Sequence, residues 1–368
     1  MTDFATSAQW YFDPRVSSLA APGRRPRPRG VLDLSRNELI HPALDPLIAT
    51  LLKEVPSTAV TKYPIYSELI TELADVADCS PEELEIFPGS DDAIGVIIDA
   101  FAVQSGSLIL QDPTYPAYRY HAQLRGIDVL PWLPRPGELS FAAVDAVRAM
   151  ERTPSTVLVV TDPHGMLGRS LGDEAMMALA AVADLHGHLL VLDQCYQAFR
   201  GEDRLQPVRG WDNIVRIGSF SQSAGLAGMR LGYVIGAPSK IDYLRRWRRA
   251  AAVSGATAWM ALKLHRNRKK ELDAIREDII DGREWLAGQV AGLEKGFSPL
   301  ASDANFLTVD VGEPDDARRL KDHLARNGVM VRSHEDHTGF ASLLQFTAAP
   351  VSLLHQVVAA LTTFDAAQ

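Results

Sequence analysis

Four short polar segments of this chain combine residue types that suit a phosphate group and a planar heteroaromatic ring. The first is Pro88-Gly-Ser-Asp-Asp-Ala93, at the start of a helical pattern. A glycine there lets the backbone approach a ligand closely, and the first N–H groups of a helix favour an anion. The second, Asp112-Pro-Thr-Tyr-Pro-Ala-Tyr118, offers Tyr115 as an aromatic that could stack on a ring. The third, Asp193-Gln-Cys-Tyr196, offers a carboxylate that could hold a protonated ring nitrogen and a phenol in reach of a ring oxygen. The fourth runs Ser219-Phe-Ser-Gln-Ser-Ala-Gly-Leu-Ala-Gly-Met-Arg-Leu-Gly-Tyr233. Its hydroxyls, glycines and Arg230 suit a phosphate dianion, because a guanidinium donates two parallel hydrogen bonds.

Apolar β-type runs precede most of these segments. They cover residues 107–111, 156–161, 188–193, 214–218 and 231–235. Alternation along them is weak, as expected of parallel strands buried on both faces. Helical patterns intervene, one opening at Ser90 and another over 173–185 with Asp173 as its cap, so the spacing predicts a βαβ rhythm. Open sheets of this kind bind ligands beyond the carboxyl ends of their strands. From about Ser254 the pattern changes to long helical stretches, then strands over 305–309, 329–332 and 343–347, then a closing helix over 350–364. That predicts a smaller α+β unit, joined by a short strand over 31–34.

The chain has 368 residues, 46% hydrophobic and 23% charged, with a net charge of −9. This composition excludes disorder, and the charge disfavours nucleic acid and anionic membranes as partners. A basic run of Arg24, Arg25, Arg27 and Arg29, broken by prolines, reads as an extended arm. A second, from Arg245 to Lys270, reads as a solvated helix face with Trp247 and Trp259 turned inward. Two cysteines and an N-terminus without an apolar leader point to the cytoplasm. No membrane span and no metal are expected.

Together the four segments resemble the aminotransferase class I/II family of pyridoxal phosphate (PLP) enzymes, most closely its histidinol-phosphate aminotransferase branch. The Ser219–Tyr233 stretch carries the strongest likeness, which extends from about Leu32 to about Leu361. The resemblance implies fold type I: an α/β domain with a seven-stranded, mostly parallel sheet, and a smaller α+β domain. It divides the chain into an N-terminal arm over 1–45 packed on the small domain, a large domain over 46–255 and a small domain over 256–368. It also implies a homodimer with sites at the interface and a small-molecule substrate. By resemblance, Ser90, Asp91, Ser219, Ser221 and Arg230 hold the cofactor phosphate, with Tyr63 reaching across to the partner subunit's phosphate. Tyr115 stacks on the ring, Asp193 keeps its nitrogen protonated, and Tyr196 donates to its phenolic oxygen. Asn37, Asn305 and Gln345 fall at substrate-binding positions.

Three positions depart from the family pattern. The Schiff-base lysine is replaced by Gln222, whose delocalised amide nitrogen cannot condense with an aldehyde. The arginine that clamps a substrate carboxylate is replaced by Gln345. The asparagine of the loop before the third strand motif is replaced by Gly165, beside His164, the nearest candidate for a substitute base; a solvent-exposed loop histidine is the alternative reading of that residue. The expectation is a biosynthetic enzyme that holds PLP or its amine form, PMP, non-covalently and works on an amine or amino-acid-derived substrate by non-standard chemistry. Two alternatives stand beside it: a non-catalytic, re-purposed binding protein, and an ordinary aminotransferase carrying an engineered lysine-to-glutamine trap.

Overall fold

The computed structural model describes residues 12–21, 29–135, 137–200, 210–294 and 296–364. Among the described residues twelve strands follow one another: β1 (Leu32–Leu34), β2 (Leu84–Phe87), β3 (Ser107–Gln111), β4 (Asp128–Trp132), β5 (Val157–Thr161), β6 (Leu189–Asp193), β7 (Ile214–Ser219), β8 (Gly232–Gly236), β9 (Ser298–Pro299), β10 (Phe306–Asp310), β11 (Val329–Ser333) and β12 (Leu343–Thr347). Seven form one sheet in the order β2-β8-β7-β6-β5-β3-β4, in which only β8 runs antiparallel to its neighbours. β5 and β6 are buried at every position, because helices cover both faces. The chain steps outward from β3 to β4 and then returns to the other side of β3 with β5, so β3 and β5 flank a topological switch point.

The remaining strands form a second sheet, β1-β11-β12-β10-β9, parallel at β1–β11 and antiparallel elsewhere. Helices Pro314–Arg326 and Val351–Thr363 pack their apolar faces into one core with β1, β10, β11 and β12.

Most of the expected strands form within a residue of the expected ends. β4 and β9 were not expected: β9 is two residues long, and β4 is an edge strand of the large sheet that carries Pro131 and mixed exposure rather than a fully apolar run. β2, the strand before Pro88, is the other edge and is buried along its length. The helical stretch after Ser254, Gly255–Ala291, is two helices joined across a kink at Arg268, with Ser254 Oγ capping the Thr257 N–H. Its residues 258–279 pack in the large core, and Leu286 and Val290 in the small one. A division at 255/256 therefore falls at its first residue, whereas its packing divides inside it. Trp259 turns inward as expected, but Trp247 is 45% exposed, ending its helix against Tyr243.

Of the N-terminal segment, β1 joins the small sheet, whereas the Pro14–Ser18 helix lies on helix Pro116–Arg125 of the large unit. Arg24, Arg25 and Arg27 lie outside the described residues. Among the described residues, no helix is long and apolar enough to cross a membrane.

Candidate active site

The four polar segments follow the carboxyl ends of β2, β3, β6 and β7, and the 162–168 loop follows that of β5. At the phosphate end, Gly89 adopts φ +85° and caps helix Ser90–Ile97 without a side-chain oxygen. No side chain at the cap competes for the first-turn N–H groups. Gly232 presses against this turn: a Cβ there would lie 2.7 Å from the Ser90 nitrogen. Arg230, in the left-handed region at φ +51°, brings its guanidinium over Gly89, where a Cβ would meet Nη2 at 2.6 Å. Its Nη1 donates to Ser221 Oγ at 3.2 Å and to the Ala227 carbonyl at 3.0 Å. Ser219 Oγ in turn accepts from the Ser221 N–H.

Asp91 enters differently from the expectation. Its carboxylate cannot donate to an anion; it pairs with Arg230 Nη2 at 3.4 Å and faces the Tyr115 phenol, leaving its backbone N–H as the only donor to a phosphate. Tyr115 is 41% exposed, presenting ring surface while its hydroxyl end lies inward. Burial of that end, then the Asp91 charge, push its pKa up.

Asp193 closes β6 and is buried. Its Oδ2 accepts from Tyr118 Oη at 2.9 Å and its Oδ1 from the Cys195 N–H at 3.2 Å. Burial raises its pKa, and the Cys195 and Tyr118 hydrogen bonds oppose the rise. Tyr196 Oη accepts from Asn37 Nδ2 at 3.0 Å, so its own proton is left to donate elsewhere; burial pushes this phenol up to about 12. Asn37, itself at φ +54°, is pinned by Thr347 Oγ1 on its N–H and by Asn305 Nδ2 on its carbonyl.

The three departures lie as follows. Gln222 sits in the short Phe220–Ser223 helix, and its Oε1 is buried without a hydrogen-bond partner. Gln345 is fully buried and donates from Nε2 to the Gly165 carbonyl at 3.0 Å, so two of the departures touch each other. Its Oε1 is also unpartnered, as is Asn305 Oδ1. For these two amides the orientation follows from the bond that the nitrogen makes, so each presents a buried acceptor. A Cβ at Gly165 would make ordinary van der Waals contact with the Tyr196 ring at 3.8 Å.

His164 is the main correction. It is neither exposed nor available as a base. Nδ1 accepts from the Met166 and Leu167 N–H groups at 3.3 and 3.1 Å, and Nε2 lies 2.9 Å from the Pro113 carbonyl, to which only a protonated nitrogen can bond. The ring is therefore the neutral Nε2–H tautomer, and burial holds its pKa down at about 4. It staples the 162–168 loop to the end of β3. Thr308 Oγ1, donating to the Met166 carbonyl at 2.5 Å, and the Asp303 N–H, donating to the Gly168 carbonyl at 2.7 Å, tie the same loop to the small unit.

Tyr63 is apart from these groups, 91% exposed near the end of the Ser57–Thr61 helix, with Val60 and Ile65 exposed beside it. Sequence reasoning overlooked Tyr118 as a partner of Asp193. The signal was present: Pro116 starts the helix, and Tyr118 and Ala122, four apart, form its buried face.

An anion cradle, a half-exposed aromatic, a buried carboxylate at a strand end and a phenol with a free proton suit a phosphorylated pyridine. The family model for aminotransferase class I and II matches residues 29–360, and the chain belongs to that family, with the fold of PLP-dependent, fold type I transferases. Among curated relatives it is 28% identical to histidinol-phosphate aminotransferase 1, chloroplastic, of Arabidopsis thaliana, over 85% of this chain and 73% of that protein. It is 27% identical to the histidinol-phosphate aminotransferase of Chromohalobacter salexigens, over 95% and 98%. The fold matches the crystal structure of histidinol-phosphate aminotransferase from Sinorhizobium meliloti in complex with pyridoxal-5′-phosphate at a TM-score of 0.82 and 22% identity, covering 99% of this chain and 98% of that one.

Proposed function

We propose that this chain binds PLP or PMP without a covalent bond and acts on an amine or amino-acid-derived substrate of a biosynthetic pathway, by chemistry other than ordinary transamination. The carrying observation is the pairing of a maintained cradle with an altered reacting end. Asp193 keeps both oxygens held in a buried site, while Gln222 puts an unpartnered amide oxygen at the position of the family's lysine.

The residues present fit the cofactor. Ser219, Ser221, Arg230 and the first N–H groups of helix Ser90–Ile97 would hold its phosphate. Tyr115 would stack on the ring, Asp193 would hold the ring-nitrogen proton, and Tyr196 would donate to the phenolic oxygen. Bound there, the cofactor supplies an electron sink conjugated to the reacting carbon. Gln345 and Asn305 support a substrate that brings hydrogen-bond donors. A carboxylate set against their unpaired acceptor oxygens would be left with acceptor facing acceptor in a buried site.

The exposed Val60, Tyr63 and Ile65 support a homodimer in which this segment is covered by a second copy. The commitment of both His164 nitrogens favours a second reading, that the cradle binds its ligand without turnover. The test is an absorbance titration of the purified protein with PLP and with PMP, followed by borohydride and mass spectrometry. Saturable binding with no cofactor fixed to the polypeptide is expected. A pyridoxyl adduct on a lysine of this site, or no binding of either form, would refute the proposal.

A further inference from the structure

We infer that Tyr118 is a positioning residue for Asp193: its hydroxyl fixes one carboxylate oxygen and thereby sets which edge of the carboxylate meets a ligand. The cofactor-binding part of this inference rests on the function proposed above; the effect on Asp193 itself does not.

Tyr118 is 1% exposed and belongs to helix Pro116–Arg125, which lies over the sheet. Proline at N1 and the left-handed cap at Gly126 hold both ends of that helix. Tyr115, the candidate stacking residue, is the N-cap of the same helix, so one rigid element presents both the ring face and the carboxylate's donor.

The contact divides the labour of the carboxylate. Oδ2 takes the Tyr118 proton at 2.9 Å, and Oδ1 takes the Cys195 N–H at 3.2 Å. A carboxylate offers about four acceptor sites; Tyr118, the Cys195 N–H and the Cys195 thiol take three, which leaves one for a ring N–H. A side chain held at both oxygens cannot rotate about χ2, which places that remaining site in advance of the ligand. A hydrogen bond to the charged form also lowers the basicity of a carboxyl group that burial would otherwise raise. The titratable groups around this carboxylate are Tyr118 from the Pro116–Arg125 helix, Cys195 and Tyr196 just after β6 and Asp91 from the Ser90–Ile97 helix. Tyr118 itself is also faced by Cys195 and Tyr115. Of these groups, Tyr118 and Cys195 donate hydrogen bonds to Asp193, whereas the Asp91 charge opposes ionisation.

The experiment is Tyr118→Phe, which keeps the ring and removes the donor. The Asp193 carboxyl carbon is followed by ¹³C NMR in protein carrying labelled aspartate, with the resonance assigned through Asp193→Asn. Loss of one hydrogen bond to a charged acceptor should move the Asp193 titration midpoint up by about one to two pH units. A titration with PMP should show its pH dependence of binding shifted in the same direction. If Tyr118→Phe fails to fold, 3-fluorotyrosine at position 118, a stronger donor of nearly the same shape, should move the midpoint down. An unmoved midpoint in the folded variant would overturn the inference and leave Tyr118 a packing residue. A moved midpoint in a protein that binds neither PLP nor PMP would support the positioning of Asp193 and defeat the proposed function instead.

Discussion

Replacing His164 with asparagine separates a staple from a base. In the folded protein His164 is buried and neutral, with its pKa held near 4 against an ordinary 6.5. The unfolded chain therefore binds more protons than the folded one between pH 6.5 and 4, and stability falls as the pH drops through that window. The shift of about 2.5 units corresponds to about 3 kcal/mol in full, of which about 2 kcal/mol is already lost at pH 5. Asparagine at 164 can still accept the Met166 and Leu167 N–H groups but cannot reach the Pro113 carbonyl as Nε2 does. At pH 7 the variant should be less stable by about 1–2 kcal/mol, the cost of one lost hydrogen bond with a buried carbonyl left unpaired. It does not titrate, so it should escape the acid loss, and the gap to wild type should close or reverse by pH 5. His265 and His334, pushed down by burial to about 4 and about 3, titrate in both proteins and cancel in the comparison. Urea unfolding at pH 7, 6 and 5 measures the gap. A gap that stays constant across this range would refute the reasoning, because it would mean that the native His164 titrates at its ordinary value.

Arg230→Ala removes a charge-assisted, bidentate donor from the phosphate cradle. It should weaken PLP and PMP binding by roughly 10- to 150-fold in an absorbance titration; unchanged affinity would place the ligand elsewhere. Gln222→Lys puts an amine beside intact serines and Asp193 at small steric cost. It should give a visible absorption band with PLP and a cofactor that borohydride fixes to position 222, while ordinary amino acids remain poor substrates because Gln345 still lacks a guanidinium. Vigorous amino-acid transamination by that variant would mean that the glutamine is a trap in an ordinary aminotransferase. Ile65→Asp, in the exposed segment with Val60 and Tyr63, should shift sedimentation from dimer towards monomer without loss of fold; a monomeric wild type would remove the basis for the dimer.

The sequence by itself determined the sheet strands at the centre of the large unit and the residue types at their carboxyl ends. Central parallel strands bury both faces, so β3, β5, β6 and β7 are near-continuous apolar runs that stand out in one dimension. The phosphate motif was legible for a related reason: a Cβ at Gly89 would collide with the Arg230 guanidinium at 2.6 Å and one at Gly232 with the Ser90 nitrogen at 2.7 Å, which restricts residue type locally. β4 was not legible, because an edge strand is packed less completely and tolerates a mixed, proline-containing sequence. Only the tertiary structure decided what His164, Gln345 and Tyr118 do. His164 looks like a loop base until the Pro113 carbonyl, 51 residues away, takes its proton. Gln345 looks like a lost clamp until its amide is found on Gly165, 180 residues away. Tyr118 looks like one more aromatic until Asp193, 75 residues on, is found to accept its hydroxyl. Each of these roles depends on a partner brought close by sheet order and domain packing, and a side chain's chemistry is set by its partner and its burial rather than by its neighbours in the chain.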